Sequence, residues 1–430
     1  MSTSTTRWVV DASTLRAAKL LPPLSKSDAQ RALVLEHVLG RPGWMGLSAE
    51  DAAELPADVR ALTRGLRTLE APAQGPVEID CADGGAPFRF LLGQAAVTPG
   101  AHVFFRGTPR LGERPHGALI EALRAALGPS GLSIVEGTPW PLEVRAPSRT
   151  GEPVFRVAGA ESSQFVSSLL LAAAALNRRE GRAWTVELDG PVASEGYLDL
   201  TLDWLARTGF AVERRANALA VTGWTEPERP PAVPGDWSSL GYLLVVAWKS
   251  GGTALRADLD AAHPDRAIVR ILRDVGLTVE PVGAAGEVAV RGVPRSGLTA
   301  SGAECPDLLP TLAVLACVLP GESRLDEVDI LRGKESDRFQ GILDLTKAAG
   351  AQAVRDGGSL RIRPGPRVAS VFELDSRGDH RMAMCAATLA VLGGSRLVLT
   401  GPECVSKSFP GFWRQMEAAG VRAREAGSPL

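Results

Sequence analysis

The sequence predicts a mixed α/β fold built from a repeated supersecondary unit. Six segments have a short polar or glycine-containing start followed by a run of small and aliphatic residues, which is typical of a buried helix. Stretches such as WTVELDG, VEIDCA, SRLVLTG and SLRIRPG lie between them and predict strands bounded by glycine and proline. The helical segments start near Lys26, Gly84, Ser162, Asp236, Asp307 and Asp379. Their spacing of roughly 60 to 80 residues favours one α/β unit used repeatedly.

Composition places the chain among ordinary globular proteins. The 430 residues are 45% hydrophobic and 22% charged, with 47 basic and 49 acidic side chains and a formal net charge of -2. This balance gives no reason to expect nucleic acid or an anionic membrane as a partner, so any anion site must use locally gathered Lys and Arg. The N-terminus shows no signal peptide pattern, and the five cysteines form no C-x-x-C pair. We expect a cytoplasmic protein with reduced, mostly buried thiols.

Two proline-rich stretches are candidate joints between lobes. One is Thr225–Gly235, TEPERPPAVPG, and the other is LPPLS before Lys26. If the chain crosses between lobes at both, the first lobe covers residues 25–233 and the second combines 1–24 with 234–430. Ordinary surface loops are the alternative interpretation of both stretches.

Basic residues near the helix starts suggest an anion site. Arg31 lies about one helical turn beyond Ser27, so a phosphate could meet Lys26, Ser27 and Arg31 together. A solvated basic helix start is the alternative. Arg110 and Arg114 precede an amphipathic helix, where surface salt bridges are the ordinary expectation. The segment RGKESDR, with Lys334, Glu335, Asp337 and Arg338, suits proton transfer beside an anion or, alternatively, a solvated mixed-charge turn.

Six motifs in order resemble those of 3-phosphoshikimate 1-carboxyvinyltransferases. They are SKSDAQRALVL, DGGAPFRFLL, SSQFVSSLLLAA, LRGKESDRF, GDHRMAMC and VSKSFPGF, and they run from about residue 20 to 415, which is almost the whole chain. The resemblance implies two similar lobes, each made of three βαβαββ units in an inside-out α/β barrel, with the active site in the cleft between them. It also implies enolpyruvyl transfer from phosphoenolpyruvate to the 5-hydroxyl of shikimate 3-phosphate.

The resemblance also implies roles for individual residues. The residues expected to hold shikimate 3-phosphate are Lys26, Ser27, Arg31, Ser162, Ser163, Gln164, Ser194, Tyr197, Asp307 and Lys334. Those expected to hold phosphoenolpyruvate are Lys26, Gly85, Arg114, Gln164, Arg338, Arg381 and Lys407. Asp307, Glu335 and Lys26 are the expected catalytic residues. The reaction requires one group to accept the hydroxyl proton and another to serve C3, and it implies neither a cofactor nor a metal. A monomer is expected.

Three departures from the family pattern bear on specificity. The first loop reads PPLSKS where PGSKS is usual, Ala86 replaces a Thr, and Ile330 replaces an Asn that some members use on the shikimate ring. Enolpyruvyl transfer to another acceptor, such as UDP-N-acetylglucosamine or a secondary metabolite, is therefore the first alternative. A non-catalytic binding paralogue with the same fold is the second, although the sequence keeps every expected charged catalytic residue.

Overall fold

The chain folds into two compact units. The computed structural model describes residues 6–45, 55–70, 75–128, 133–136 (backbone only), 142–146, 152–283, 286–332 and 334–427. The central unit runs from Lys26 to Val233. The N/C unit contains the residues before Lys26 and those from Pro234 onward, together with 55–56. The domains expected from the sequence, 25–233 and 1–24 with 234–430, stay a prediction.

The central unit shows the repeated element most simply. Strand Val154–Ala158 pairs in parallel with Trp184–Asp189, and Ala218–Trp224 pairs antiparallel with the latter and with Phe210–Arg215. Helix Ser163–Glu180 connects the two parallel strands, and a second helix precedes the hairpin, so the order along the chain is βαβαββ. The other described sheet of this unit repeats the same order with strands Val77–Asp80, His102–Arg106, Leu142–Arg145 and Ser133–Glu136.

The N/C unit contains three sheets of the same design. The first has Thr299–Ser301, Ser323–Asp326, Ser359–Arg363 and Gln352–Asp356 as its strands in spatial order. The second has Val371–Asp375, Arg396–Thr400, Arg7–Asp11 and Arg422–Glu425, and the third Lys19–Leu20, Thr253–Ala254, Val288–Arg291 and Thr278–Pro281. The N-terminal segment therefore supplies one strand to each of two sheets whose other strands come from the C-terminal half.

Six helices lie where the apolar runs predict them. They are Lys26–Leu39, Gly85–Val97, Ser163–Glu180, Trp237–Ser250, Leu309–Ala316 and His380–Gly393. Most of their residues are buried, because small and aliphatic side chains on all faces allow a helix to be enclosed by its neighbours. At Gly241, an added Cβ would lie 2.8 Å from Leu308 Cδ1, so this glycine permits close packing of two helices in the N/C unit.

Apart from Ala57–Glu70, the remaining helices follow the second strand of a repeat. The α-helices are Ala57–Glu70, Pro109–Gly112, Gly117–Leu127, Glu195–Arg207, Ala267–Asp274, Arg338–Ala348 and Phe412–Ala418, and the 3-10 turns are Pro264–Arg266, Val328–Leu331 and Pro402–Lys407. The predicted α/β class and repeated unit are confirmed. Five such sheets occur in the described residues, and helices Lys26–Leu39 and Ala57–Glu70 stand outside them.

The ends of the two proline-rich stretches contact each other within the N/C unit. Ser25 N donates to Pro234 O at 2.8 Å, Asp236 N donates to Pro23 O at 3.0 Å, and Leu24 forms an isolated bridge with Gly235. They are therefore paired extended segments, as proline permits where only some backbone donors are needed. Among the described helices, none has the length and apolar character needed to cross a membrane.

Candidate active site

Arg338 is the centre of a charged network in the N/C unit. It begins helix Arg338–Ala348 and its side chain is only 3% exposed. Nε donates to Asp379 Oδ2 at 2.8 Å, Nη1 lies 3.2 Å from Asp307 Oδ1, and Nη2 lies 3.7 Å from Glu335 Oε2. Burial opposes the charge of Arg338, but the attraction of Asp379 and Glu335 outweighs it and raises the pKa of the guanidinium. Arg338 is thus a fixed cation that gathers three carboxylates.

Asp307 lies just before helix Leu309–Ala316 and contacts three basic side chains. Arg381 Nη2 lies 3.2 Å from its Oδ2, while Arg381 Nη1 donates to its backbone carbonyl at 3.0 Å. Lys334 Nζ lies 3.7 Å from Oδ1, on the same side as Arg338. The carboxylate is one quarter exposed, so it can be reached by a ligand while its charge is offset by the surrounding cations.

Glu335 pairs with one side chain from each of the two C-terminal motifs, GDHRMAMC and VSKSFPGF. His380 Nδ1 lies 2.8 Å from its Oε2, and Lys407 Nζ lies 3.3 Å from its Oε1. Burial raises the pKa of Glu335, but His380, Lys407 and Arg338 together hold it well below its ordinary value. Glu335 is therefore a carboxylate at neutral pH, and any change in its cationic neighbours would change its proton affinity.

Asp379 orients this network from the start of a helix. Its Oδ1 accepts the backbone N–H of Arg381 at 2.9 Å as the N-cap of helix His380–Gly393, and Oδ2 accepts from Arg338 and from Ser336 Oγ at 3.0 Å. Burial raises the pKa of Asp379. The attraction of Arg338 and its hydrogen bond lower the pKa by more than burial raises it, so the net shift is downward. Asp379 is a structural anion that fixes two cations.

One trio in the described chain has metal-ligand proximity: Glu335, Asp379 and His380. Its carboxylates already pair with Arg338 and Lys407, which supply positive charge at the same oxygens. Since the chain's own cations neutralise the trio, its chemistry is that of an ion-pair network, and we assign it no metal.

In the central unit, Arg31 joins the first motif to the helix that follows Ser194. Its Nη1 donates to Ser27 O at 2.8 Å, Nη2 to Tyr197 O at 2.9 Å, and Nε to Thr201 Oγ1 at 2.7 Å. Burial lowers the pKa of Arg31 to about 10 because its partners are mainly neutral. Ser194 has a left-handed backbone (φ 56°) and its carbonyl accepts from Tyr197 N at 3.0 Å. A left-handed serine is strained, as is common at binding sites.

The Gly84–Gly85 turn brings together two further predicted residues. Lys26 Nζ lies 3.2 Å from Asp58 Oδ2, and a Cβ at Gly84 would lie 3.2 Å from Asp58 Oδ1. A Cβ at Gly85 would lie 2.5 Å from Arg114 Nη1 and 2.6 Å from its Cζ. The room that glycine leaves at Gly85 is therefore taken by the Arg114 guanidinium.

Arg89 connects the Arg114 segment to the SSQF helix. Its Nη1 donates to Gln164 Oε1 at 2.6 Å, and Nη2 donates to Pro115 O at 2.8 Å. Burial, and then repulsion from Arg114, lowers the pKa of Arg89 to about 9. Ser162 caps helix Ser163–Glu180 by accepting from Gln164 N at 3.2 Å, whereas Ser163 is buried at the first helical position.

Every predicted site residue is described, and each of the two predicted ligand sets has members in both units. Asp307, Lys334, Glu335, Arg338, Arg381 and Lys407 form one network in the N/C unit. Sequence reasoning missed Asp379 and His380 in this network, and Asp58 and Arg89 beside the predicted residues of the central unit. Three of them lie inside motifs that it quoted, so their position was available but their contacts were not. The solvated-turn interpretation of RGKESDR is wrong for Arg338, which is buried. Arg110 does form the expected exposed salt bridge, with Glu113 at 3.1 Å.

Comparison with solved structures first defines the class. The fold resembles that of EPSP synthase from Acinetobacter baumannii, with a TM-score of 0.72, 21% identity and coverage of 97% of this chain and 100% of that chain. It also resembles the enolpyruvyl transferase NikO from Streptomyces tendae, with a TM-score of 0.69, 15% identity and coverage of 99% and 100%. The two-lobe inside-out α/β fold of enolpyruvyl transferases is thus the fold of this chain.

Sequence comparison then identifies the family. The family model described as EPSP synthase (3-phosphoshikimate 1-carboxyvinyltransferase) matches residues 49–416. A 3-phosphoshikimate 1-carboxyvinyltransferase of Methanopyrus kandleri is 34% identical over 418 residues, which cover 93% of this chain and 95% of the relative. One from Methanoculleus marisnigri is 35% identical over 428 residues, with 93% and 96% covered. The chain belongs to the EPSP synthase family.

Proposed function

We infer that the chain transfers the enolpyruvyl group of phosphoenolpyruvate to the 5-hydroxyl of shikimate 3-phosphate, releasing phosphate. The observation that carries this conclusion is the network in which Asp307 and Glu335 share Arg338 while each pairs with further Lys or Arg side chains. Proton carriers are thus held among cations that can bind a compact anion. Shikimate-pathway transferase activity agrees with the family to which the chain belongs.

Phosphoenolpyruvate binds to guanidinium and ammonium groups in this proposal. The ligands are Lys26, Gly85, Arg114, Gln164, Arg338, Arg381 and Lys407. Planar guanidinium groups suit bidentate pairing with carboxylate and phosphate, and lysines add point charges. The contact of Arg114 with Gly85 and the hydrogen bond from Arg89 to Gln164 support preorganisation of the central-unit ligands.

Shikimate 3-phosphate binds in this proposal through four serines, one amide, one tyrosine and four charged side chains. The ligands are Lys26, Ser27, Arg31, Ser162, Ser163, Gln164, Ser194, Tyr197, Asp307 and Lys334. The link from Arg31 to the backbone carbonyls of Ser27 and Tyr197 supports this assignment, because it ties two of the ligand segments together. A phosphate near Arg31 would meet a guanidinium whose present partners are uncharged.

The two carboxylates divide the proton transfers. The 5-hydroxyl oxygen bonds to C2 of phosphoenolpyruvate, Asp307 takes the hydroxyl proton, and Glu335 delivers a proton to C3, which gives a tetrahedral ketal. The ketal then loses phosphate, which takes up the hydroxyl proton from Asp307, while C3 returns a proton to Glu335. Asp307 is assigned to the hydroxyl because it belongs to the shikimate set, and Glu335 to C3 because Arg338 and Lys407 belong to the phosphoenolpyruvate set. Lys26, which belongs to both ligand sets, orients the 5-hydroxyl of one substrate toward C2 of the other.

The proton affinity of Glu335 responds to the substrate in this scheme. When phosphate and carboxylate groups of phosphoenolpyruvate compete for Arg338 and Lys407, Glu335 shares these cations with another anion. The pKa of Glu335 then rises, because attraction to positive charge is what holds it low. Substrate binding would thereby prepare Glu335 to carry the proton that C3 needs.

The cellular setting belongs to the same proposal. We expect a monomer in the cytoplasm. Four of the five cysteines are buried and Cys404 is partly so, which agrees with reduced thiols that serve as small apolar side chains.

The direct test measures phosphate release from phosphoenolpyruvate with shikimate 3-phosphate, with UDP-N-acetylglucosamine, or with no acceptor. We expect phosphate release only in the arm that contains shikimate 3-phosphate. Release only with UDP-N-acetylglucosamine would reassign the acceptor. A second acceptor is tested because Ile330 packs against the core and offers no side-chain hydrogen bond. Absence of release in every arm, with phosphoenolpyruvate still bound, would favour a binding paralogue.

A further inference from the structure

His116 lies between the Arg89 guanidinium and the segment that carries Arg114. It follows Pro115 directly and stands at the start of helix Gly117–Leu127, where its side chain does not cap the helix. Its two ring nitrogens instead face Arg89 Nε, at 3.4 Å from Nδ1, and Leu111 O, at 2.9 Å from Nε2. The ring also packs edge-on against Phe88, with centroids 4.7 Å apart.

The partners fix the protonation state of this histidine. Arginine can only donate, so Nδ1 must be the accepting, unprotonated nitrogen, and the proton must be on Nε2, which donates to Leu111 O. Burial, and then the positive charge of Arg89, lowers the pKa of His116 to about 4. The imidazole is therefore neutral at physiological pH, in one tautomer.

Leu111 O is a shared acceptor. It accepts from Arg114 N at 3.2 Å as well as from His116 Nε2. His116 therefore contacts the same carbonyl that fixes the backbone of Arg114, and it contacts the guanidinium that donates to Gln164. The Nη2 group of Arg89 donates to Pro115 O at 2.8 Å and closes this ring of contacts.

We propose that His116 is a positioning residue for phosphoenolpyruvate. It orients Arg89, and through Arg89 and Leu111 it fixes Gln164 and Arg114, two of the residues assigned to that substrate. The inference rests on the proposed function, since it assumes that Arg114 and Gln164 bind phosphoenolpyruvate. A purely structural histidine would need only the ring volume and the Phe88 contact. A substitution that keeps the ring but removes the hydrogen bonds therefore affects phosphoenolpyruvate binding only if His116 is a positioning residue.

Three variants separate the two hydrogen bonds from ring volume. His116→Phe keeps an aromatic ring against Phe88 and removes both bonds. His116→Asn places an amide oxygen as many bonds from Cα as Nδ1 and so retains an acceptor for Arg89. His116→Gln places its amide nitrogen at the bond count of Nε2 and retains the donor to Leu111 O. The control is His102→Phe, which changes a partly buried histidine that pairs with Glu143 on a sheet of the same unit.

Steady-state kinetics and calorimetric binding of phosphoenolpyruvate give the result. We expect His116→Phe to raise the phosphoenolpyruvate KM about tenfold, the range of one lost hydrogen bond to a charged group, with kcat and the shikimate 3-phosphate KM within about twofold of wild type. His116→Asn should recover most of this loss, His116→Gln less, and His102→Phe should match wild type. Nitrogen NMR at neutral pH should find Nδ1 of His116 unprotonated and Nε2 protonated.

The outcomes distinguish failure of the positioning role of His116 from failure of the proposed enolpyruvyl transfer. An active wild-type enzyme whose phosphoenolpyruvate KM is unchanged in His116→Phe would overturn the positioning role and leave the function in place. So would equal losses in His116→Phe and His116→Asn, or a proton found on Nδ1. A wild-type protein that neither binds phosphoenolpyruvate nor releases phosphate from it would overturn the proposed function, and with it the assignment of His116.

Discussion

The two units hold their buried arginines in opposite ways. In the N/C unit, Arg338 pairs with Asp379, Asp307 and Glu335, and its pKa is raised. In the central unit, Arg31 and Arg89 donate mainly to carbonyls, a hydroxyl and an amide, and burial lowers their pKa values to about 10 and about 9. Both arrangements satisfy the donors, but only the first also neutralises the charge.

The difference assigns different work to each unit. Asp28 and Glu161 offset the positive charges of Arg31 and Arg89 only in part, since the hydrogen-bond partners are neutral, so an anion that reaches either arginine gains a favourable electrostatic interaction. Carboxylate partners make the N/C network nearly balanced, and they also supply groups that can accept and return protons. We infer that the central unit contributes mainly binding and the N/C unit mainly the proton transfers.

Removing a carboxylate from the balanced network should have the largest effect. Asp307→Ala should lower kcat by about a thousandfold, because it removes the group that takes the hydroxyl proton, while substrate binding stays measurable. Single-turnover kinetics with calorimetric binding would separate the two effects. Asp344→Ala, an exposed carboxylate paired with Arg377, is the control and should behave as wild type. Near-normal turnover of Asp307→Ala would remove Asp307 from the catalytic role.

Removing a cation from the same network should affect binding first. Arg381→Ala should raise the phosphoenolpyruvate KM by about 30- to 100-fold, since a charge-assisted pair with the substrate is lost and Asp307 loses a partner. Initial-rate measurements over both substrates would show the effect. Arg396→Ala, which removes an exposed arginine paired with Asp11 at 3.2 Å, is the matched control. An unchanged KM would contradict the assignment of Arg381.

Sequence periodicity was sufficient for the elements but not for the network. The six buried helices could be predicted because an apolar run after a polar start is a local pattern, and the cap at Asp379 is local too. Arg338, by contrast, contacts Asp307 and Asp379, which lie 31 and 41 positions away in opposite directions. Such contacts depend on how strands and helices are arranged in space, which local pattern does not determine.

Motif resemblance named candidate site positions without the contacts that the side chains make. Arg89 stands inside the quoted segment DGGAPFRFLL, yet its importance depends on Gln164, 75 positions later. Gly85 was expected to contact phosphoenolpyruvate, and in the structure the room left by its missing side chain is taken by the Arg114 guanidinium. The resemblance indicated Gly85 but not Arg89, and only coordinates could show which side chains these two positions contact.

In the central unit, the close packing of the Arg114 guanidinium against Gly85 can be tested by substitution of the glycine. In Gly85→Ala the new Cβ would displace the Arg114 guanidinium, a flexible group, so we expect a folded protein with phosphoenolpyruvate affinity lowered about tenfold. Calorimetric titration with phosphoenolpyruvate would measure this. Gly117→Ala is the matched control, since no atom lies within 4 Å of its new Cβ. Unaltered affinity in Gly85→Ala would mean that the position of Arg114 is not critical.

The smallest expected effect concerns the neutral partner of Arg89. The pKa of His116 is lowered to about 4 in the folded chain, against an ordinary value near 6.5, so below pH 6.5 the unfolded chain takes up a proton that the folded chain refuses. Its stabilising contribution is therefore complete above about pH 6.5 and is lost as the pH falls toward 4. The difference in Tm between wild type and His116→Phe should shift against wild type by roughly 1 to 2 °C between pH 7 and pH 5.5. A pH-independent difference, measured by calorimetry, would mean that His116 has the same pKa in the folded and the unfolded chain, and so that its surroundings do not keep the ring neutral.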